Sequence, residues 1–328
     1  MTTTSTRTAA STPAAQSTHR RRASWTVFAI AVGAAGGLPA VVNSYVVSVG
    51  CTAMVLAMVA ISTQLLGVAG LPSLGQAGYL AIGAYTAALL ATRAGVGSAP
   101  IQLVAAALVA AAVGALTAPL VLRTRAATHL MVTLAIAELV RTVASQWSGL
   151  TNGDNGLPTP PVSLVPGGAL RAAPYVYWYL LGCFLLVAAL VAALLRSPWA
   201  LRLRASANHE PRLAALGHAV TATLFAGHVA AASIAGAAGA LMVAATRYLS
   251  PADFTVSTSA LALLAAAIGA GTMRGAVAAA VLIVAVRDLI GARTGGHALA
   301  LLGLVFVLVA YRPALSERLR PWWQGRRR

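Results

Sequence analysis

The sequence predicts an all-α integral membrane protein, a polytopic bundle of about eight to ten transmembrane helices. Of the 328 residues, 59% are hydrophobic and only 9% are charged, and the mean hydropathy is +0.81. Soluble domains carry about a quarter charged residues, so lipid must cover much of this apolar surface. The apolar residues also fall into long runs, with the basic residues between them. This pattern is typical of a single membrane domain.

Ten apolar runs are long enough, or nearly long enough, to cross a bilayer as helices, for which about 20 residues are needed. The candidate spans are 24–42, 45–67, 75–92, 99–122, 127–147, 174–195, 220–246, 257–273, 276–291 and 297–311. The last three are short. The Gly-rich stretch 269–275 allows residues 257–291 to form a tight hairpin or a broken helix instead of two complete spans.

The basic residues predict how the helices thread the membrane. All 23 of them are Arg, against six acidic residues, which gives a formal charge of +17. With the N-terminus inside, 17 Arg fall on the inner side and four on the outer side, and basic loops stay cytoplasmic. Both termini are therefore predicted to be cytoplasmic, with an even number of spans. A nucleic-acid partner is disfavoured because the Arg residues form no single patch.

This threading divides the chain into a membrane domain and two tails. Residues 1–23 are rich in Thr, Ser and Ala without an apolar period, which predicts a disordered cytoplasmic tail. Arg20–Arg22 are interpreted as the anchor of an uncleaved first span, and a secretory or twin-arginine signal is the alternative. Residues 24–311 form the transmembrane domain, and residues 312–328 form a basic cytoplasmic tail.

Two connections are long enough to have a function of their own. Residues 148–173 are extracytoplasmic and rich in Gly, Pro and Asn, which predicts ordered turns or a cap. Residues 196–219 are cytoplasmic, basic and amphipathic, and Pro211 is expected to interrupt their helix or to begin a second one. This loop either lies on anionic lipid or docks into a groove of an acidic partner. Its apolar helical period is expected at Leu201, Ala205, Leu213 and Leu216.

Few ionisable residues fall inside the predicted spans, where they are costly and often functional. Glu138 and Arg141 are three residues apart, so their side chains can pair on one helix face. The pair either neutralises itself or contacts a substrate, and both interpretations stay open. Arg287 and Asp288 are adjacent, and we do not expect them to face one another on a helix.

The sequence contains no HExxH pattern, Walker sequence, GxSxG or Cys cluster. It therefore predicts no catalytic residue, no metal site and no cofactor bound by this chain. A pore subunit powered by another protein fits this pattern. A stand-alone ion-coupled secondary transporter is the alternative, although no repeat relates residues 24–147 to 174–311. An enzyme using Glu138 and His129 is disfavoured, because nine residues separate them by about 13 Å along a helix.

Five short motifs, in order, carry a resemblance to a known family. They are residues 67–86 (GVAGLPSLGQAGYLAIGAYT), 131–141 (MVTLAIAELVR), 151–157 (TNGDNGL), 250–254 (SPADF) and the glycines at 269, 271 and 275. Together they resemble the membrane permease subunits of bacterial ABC importers for branched-chain amino acids, closest to the M-type (LivM-like) subunit. The resemblance runs from about residue 40 to residue 311 and covers nearly the whole membrane domain.

The resemblance also implies site residues. The segment 196–219 is similar to the family's coupling loop, which docks onto the ATP-binding subunit. The matching positions are Arg204, Ala205, Glu210, Ala215, Leu216 and Gly217. The candidate translocation pathway comprises Ser73, Gly75, Gln76, Tyr85, Thr133 and Glu138. The sequence departs from the family pattern at His209, Pro211, Ala214, Ala260 and Ile268, which leaves open how the loop meets its ATPase and which substrate is carried.

The partners implied are two cytoplasmic ABC ATPase subunits, a second, homologous permease and an extracytoplasmic solute-binding protein. ATP would be used by the partner subunits, in a bacterial plasma (inner) membrane. Branched-chain amino acids lead as substrates, with other amino acids, amides or urea as alternatives.

Overall fold

The computed structural model describes residues 36, 37, 39, 42–165, 168–170, 172–269, 271–290 and 303. The two predicted tails lie outside these residues, as do the predicted spans 24–42 and 297–311 apart from the single positions just given. The predicted all-α fold is confirmed. The helices are α1 (Ser44–Val68), α2 (Gln76–Thr92), α3 (Ala99–Val121), α4 (Ala126–Gln146), α5 (Ser148–Thr151), α6 (Ala173–Leu194), α7 (Pro198–Ala215), α8 (Val220–Thr246), α9 (Val256–Ile268) and α10 (Met273–Val284), followed by a π-helical turn, Ala285–Ile290.

Five helices in the described part of the chain are long and apolar enough to cross a membrane, namely α1, α3, α4, α6 and α8. Helix α2 has 17 residues, or about 25 Å, the short end of the range for a span. Helices α9 and α10 have 13 and 12 residues and pack against one another across the turn at Gly269–Thr272. Helices α9 and α10 therefore form a hairpin of two short helices within the predicted segment 257–291.

The centre of the bundle is the crossing of α2 and α8, with α1 packed against both. A Cβ atom added to Gly83 would collide with the backbone of Gly236, and one added to Gly236 would collide with Ala106 and Ala110 of α3. Small residues of this kind allow helix backbones to touch directly. Van der Waals contact between backbones therefore holds the core of α2, α3 and α8 together.

The connections between helices fall into two groups, which lie at opposite ends of the helices. The connections after α1 and α3 contact α7, through Gly70 and Arg125. The connections after α2, α4 and α8 contact one another at the opposite ends of these helices. Ser98 bridges Ser163, and strand β1 (Leu157–Pro158) pairs with β4 (Tyr248–Leu249). A second antiparallel pair, β2 (Ser163–Val165) and β3 (Gly168–Ala169), lies in the same group. This alternation is what repeated crossing of a bilayer produces, and we call the predicted cytoplasmic group the inner side.

Two expectations about α7 are wrong. Pro211 neither interrupts the helix nor begins another, since α7 runs without a break from Pro198 to Ala215. Pro211 removes the hydrogen-bond donor for the carbonyl of Ala207, but both residues are exposed, so solvent can replace the lost donor. The buried face is Ala200, Leu203, Ser206 and Leu213, whereas Leu201 and Leu216 are exposed. The predicted apolar period was therefore placed on the wrong face, apart from Leu213.

The expectation that Arg287 and Asp288 do not meet is also wrong. Arg287 Nε lies 2.7 Å from Asp288 Oδ1. Both residues belong to the π-helical turn Ala285–Ile290. The long, flexible Arg side chain folds back onto its neighbour there.

Candidate functional site

Helix α7 is held on the inner side by one apolar face. Leu203 is fully buried, and its cluster includes Leu66, Leu71, Leu122 and Leu224. These four residues belong to α1, the turn after it, the end of α3 and the start of α8. Helix α7 therefore rests on the inner ends of three other helices at once.

The opposite face of α7 is open, basic and apolar. Leu201 is 65% exposed and Leu216 is 71% exposed. Among the residues matched to the coupling loop, Arg204, Ala215, Leu216 and Gly217 are exposed and Ala205 is half-buried. Arg202 and Arg212 are exposed as well. The structure thus places five of the six matched residues on or beside one accessible surface.

The sixth matched residue, Glu210, has its carboxylate turned toward the membrane domain. Arg125, directly before α4, donates from Nε to Glu210 Oε1 at 2.8 Å and from Nη2 to Oε2 at 2.9 Å. This is a bidentate pair, which fixes geometry as well as charge. The sequence analysis did not identify Arg125 as a partner, because 85 residues separate the two.

The turn after α1 touches α7 near the same place. Gly70 has φ +75°, and a Cβ atom there would lie 3.1 Å from Cα and Cβ of Ala207. Gly70 N donates to Gly67 O and Leu71 N donates to Leu66 O, each at 3.0 Å. These two bonds make a Schellman motif, in which glycine readily supplies the left-handed residue. Glycine therefore ends α1 and lets α7 approach its turn.

The start of α2 lies against α4. Thr133 Oγ1 accepts a hydrogen bond from Leu74 N at 3.2 Å, and Gly75 N donates to Ser73 Oγ at 3.1 Å. A Cβ atom on Gly75 would lie 3.0 Å from the carbonyl oxygen of Thr133. The structure therefore brings together Ser73, Gly75 and Thr133, three of the predicted pathway residues, and buries Ser73 and Thr133 between the helices.

A buried polar network follows along α2. Ser62 Oγ lies 2.7 Å from Gln76 Oε1 and also 2.7 Å from the carbonyl oxygen of Ala231. One turn further, Tyr79 Oη lies 2.9 Å from His228 Nε2 and 2.7 Å from Thr117 Oγ1.

Gln76 Nε2 and His228 Nδ1 have no partner among the described residues. Buried polar groups normally have one, so these two atoms retain unused hydrogen-bonding capacity. Gln76 was predicted from the sequence as a pathway residue, whereas Tyr79 and His228 were not predicted. The available signal was a histidine inside the long apolar run 220–246.

Tyr85 lies further along α2, apart from this cluster. Its ring centroid is 6.0 Å from that of Phe254, and its buried hydroxyl has no partner among the described residues. Phe254 ends the turn Pro251–Phe254, which is closed by a capping box between Ser250 and Asp253. Tyr85 lies near the middle of α2, and its ring contact with Phe254 ties this 3-10 turn to that helix.

Glu138 and Arg141 pair as predicted, with Arg141 Nε 2.7 Å from Glu138 Oε2. The two side chains are 34% and 35% exposed, on a helix whose other exposed residues include Met131 and Leu139. This contact is a single N–H···O bond, whereas a bidentate pair has two. In the described part of the chain, no three His, Cys, Asp or Glu side chains are close enough to hold a metal ion.

The chain is similar in sequence to known membrane permeases. The model of the family described as "Branched-chain amino acid transport system / permease component" matches residues 45–310. Two curated relatives are the high-affinity branched-chain amino acid transport system permease proteins LivM of Salmonella typhimurium (strain LT2) and Escherichia coli (strain K12). They are 31% and 30% identical over 280 residues.

Each of these alignments covers 78% of this chain and 66% of the relative, so the chain spans about two thirds of the length of these proteins. No solved structure matches the chain. The family match covers most of the transmembrane domain, including α7 and the start of α2. The chain therefore belongs to the family of branched-chain amino acid transport system permease components.

Proposed function

We propose that this protein is a pore-forming permease subunit of an ABC importer, which carries branched-chain or related amino acids across the bacterial plasma membrane. Membership of the permease family supports the transport role. The observation that carries the importer role is α7, a helix anchored on the inner side by a buried face while a basic surface stays open. Separate ATPase subunits would bind there, and this chain would bind no ATP of its own.

The open surface of α7 suits a protein partner better than lipid. Leu201 and Leu216 lie near opposite ends of the helix, and Arg202 and Arg212 lie close to them. Arg side chains form charge-assisted hydrogen bonds with the carboxylates of an acidic groove. The burial of Leu203 keeps α7 at a fixed place on the membrane domain, which an ATPase needs in order to push against it.

A pathway between α2 and α4 would explain the polar groups of these helices. The amide of Gln76 and the hydroxyl of Tyr85 are buried and have unused hydrogen-bonding atoms. The Glu138–Arg141 pair lies in the outer half of α4 and is one third exposed. A transported amino acid carries an ammonium and a carboxylate group, and this pair offers a counter-charge to each.

The exposed face of α4 also supports a second permease subunit. An ion pair facing lipid is unfavourable, and about one third of the Glu138 and Arg141 side chains is left exposed by the described residues of this chain. A second, homologous permease packed on this face would shield the pair and close a pathway between the two subunits. An extracytoplasmic solute-binding protein would deliver the substrate to the opposite end.

Reconstitution tests this function. The permease, its homologous partner, two ATPase subunits and the solute-binding protein are placed in proteoliposomes, and uptake of radiolabelled leucine is measured. We expect uptake that needs both ATP and the binding protein. Glutamine, an aliphatic amide and urea serve as competing substrates and identify the cargo. Uptake by the purified chain alone, driven by an ion gradient, would instead identify a secondary transporter.

A further inference from the structure

We call the buried face of α7, with Leu203 at its centre, the seat of this helix. Apart from the seat, α7 contacts the inner side at two points, and these lead to two different helices. The first is the bidentate pair of Glu210 with Arg125, the residue directly before α4. The second is the close approach of Ala207 to Gly70, six residues before α2 begins. One residue of α7 therefore reaches α4 and another reaches α2.

Arg125 is itself fixed to the connection between α3 and α4. Its Nη1 donates to the carbonyl oxygens of Leu122 and Thr124, while Nε and Nη2 bind Glu210. The next residue, Ala126, has φ +52°, a left-handed conformation that is strained for alanine. Because Arg125 is bonded to the backbone of this connection, a displacement of Glu210 would pull on the connection. The first turn of α4 follows directly and would move with it.

The two contacts lead to the place where α2 and α4 meet. From Gly70, the chain reaches Leu74 and Gly75, which touch Thr133 of α4. From Arg125, α4 reaches the same Thr133 within about two turns. Movement of α7 would thus arrive from both sides at the junction that contains the predicted pathway residues.

Open space surrounds the ion pair. A cleft of about 410 Å³ borders Gly70, Arg125, Ser206 and Glu210, and a second of about 300 Å³ borders Leu122, Arg125, Glu210 and Ala214. The pair bridges the boundary between these two clefts. Both clefts are open to the surface, so the ion pair connects α7 to the connection before α4 at a place where packing is incomplete.

We propose that the Arg125–Glu210 pair is the link through which movement of α7 is transmitted to α4 while the Gly70–Ala207 contact transmits it to α2. The inference rests on the proposed function. In this proposal Glu210 is a positioning residue that contacts the membrane domain and does not contact the ATPase. The exposed Arg residues of α7 remain available for docking of the ATPase. Because the pair is about one third to two fifths exposed, it contributes little to folding stability.

The test uses the complete importer in proteoliposomes and measures three quantities: ATPase co-purification, ATP hydrolysis and uptake per ATP. The variants are Arg125→Gln, Glu210→Gln and the exchange Arg125→Glu with Glu210→Arg. Each single variant is expected to retain the ATPases and hydrolyse ATP, with uptake per ATP lowered about three- to tenfold. The exchange should recover part of the loss, since the carbonyl contacts of Arg125 remain broken.

Arg123→Gln is the matched control, because Arg123 is an exposed arginine in the same connection and has no recorded polar contact with the described residues. It is expected to behave as the unaltered protein. If a Gln variant fails to insert, Glu210→Asp replaces it, because aspartate keeps the charge but has a shorter side chain. Its uptake per ATP is measured in the same way.

Normal uptake per ATP in both single variants would overturn the proposal. So would loss of the ATPases from Glu210→Gln but not from Arg125→Gln, because Glu210 would then act at the docking surface. An exchange no better than either single variant, at equal membrane levels, would also contradict it. If the unaltered importer shows no ATP-dependent uptake, the proposed function itself fails, and that result is separate from these.

Discussion

The α2–α8 crossing and the seat of α7 are built in opposite ways. At the crossing, Gly83 meets the backbone of Gly236 with no room for a further carbon atom. At the seat, a narrow buried face of Ala200, Leu203, Ser206 and Leu213 and one ion pair hold a helix beside clefts of about 410 and 300 Å³. Close-packed interiors transmit strain and do not deform continuously. This difference in packing indicates that the α2–α8 crossing is rigid and that α7 is attached to the bundle at only a few points.

The largest effect is expected at the crossing. Gly236→Leu places a side chain where Ala106 and Ala110 already lie, so we expect loss of most folded protein. Overpacking typically costs about 1–3 kcal/mol even where side chains can adjust, and backbone atoms adjust less. The measurement is the yield of monodisperse protein after extraction in mild detergent.

Gly182→Leu is the control, because no atom lies within 4 Å of a Cβ atom built on Gly182. It should be extracted at the normal level. Equal yields of the two variants would show that the crossing is not as tightly packed as the structure indicates.

The seat of α7 should respond next. Leu203→Ala removes a fully buried side chain, with an expected local cost of about 2–4 kcal/mol. We expect faster hydrogen exchange in residues 198–215 and unchanged exchange at the α2–α8 crossing. Leu201→Ala, at a position that is 65% exposed, should leave both rates unaltered. Faster exchange spreading through the core would mean that the two regions are not separate.

A smaller effect is expected for the network inside the core. Tyr79→Phe removes the hydroxyl that lies beside both Thr117 and His228. A buried polar group left without its partner costs about 1–3 kcal/mol, so the thermal midpoint in detergent should fall. Tyr175→Phe, at an exposed position, is the matched change. A shift no larger than that of Tyr175→Phe would contradict the assigned network.

The smallest change in stability is expected on the open face of α7. Arg212→Gln and Leu216→Ala alter exposed residues, and such substitutions usually change stability by less than about 0.5 kcal/mol. If α7 docks the ATPases, co-purification of these subunits should nevertheless fall. Retention at the normal level after both changes would place the docking surface elsewhere.

Gly217 extends this test to the end of the helix. It has φ +80°, so Gly217→Ala introduces strain of about 1 kcal/mol and should lower uptake without preventing insertion. Gly149→Ala, which meets no atom within 4 Å and needs no left-handed backbone, is the control. Normal uptake in both variants would remove Gly217 from the coupling loop.

The class of fold and most helix positions could be predicted from the amino-acid sequence. Apolar runs bounded by Arg, Gly and Pro predict where a chain enters and leaves lipid, because each span must satisfy its own backbone hydrogen bonds. The predicted spans 45–67, 99–122 and 220–246 agree closely with α1, α3 and α8. The Glu138–Arg141 contact was also predictable, since residues three apart share a helix face.

The buried face of α7 and the partner of Glu210 depend instead on how the helices pack together. The sequence of α7 offers two apolar periods, and the neighbours of Leu203, on α1, α3 and α8, determine which one is covered. Arg125 and Glu210 are 85 residues apart, and their meeting depends on how the inner ends of the helices are placed. Local periodicity contains no information about such long-range contacts, which come from the packing of the whole bundle.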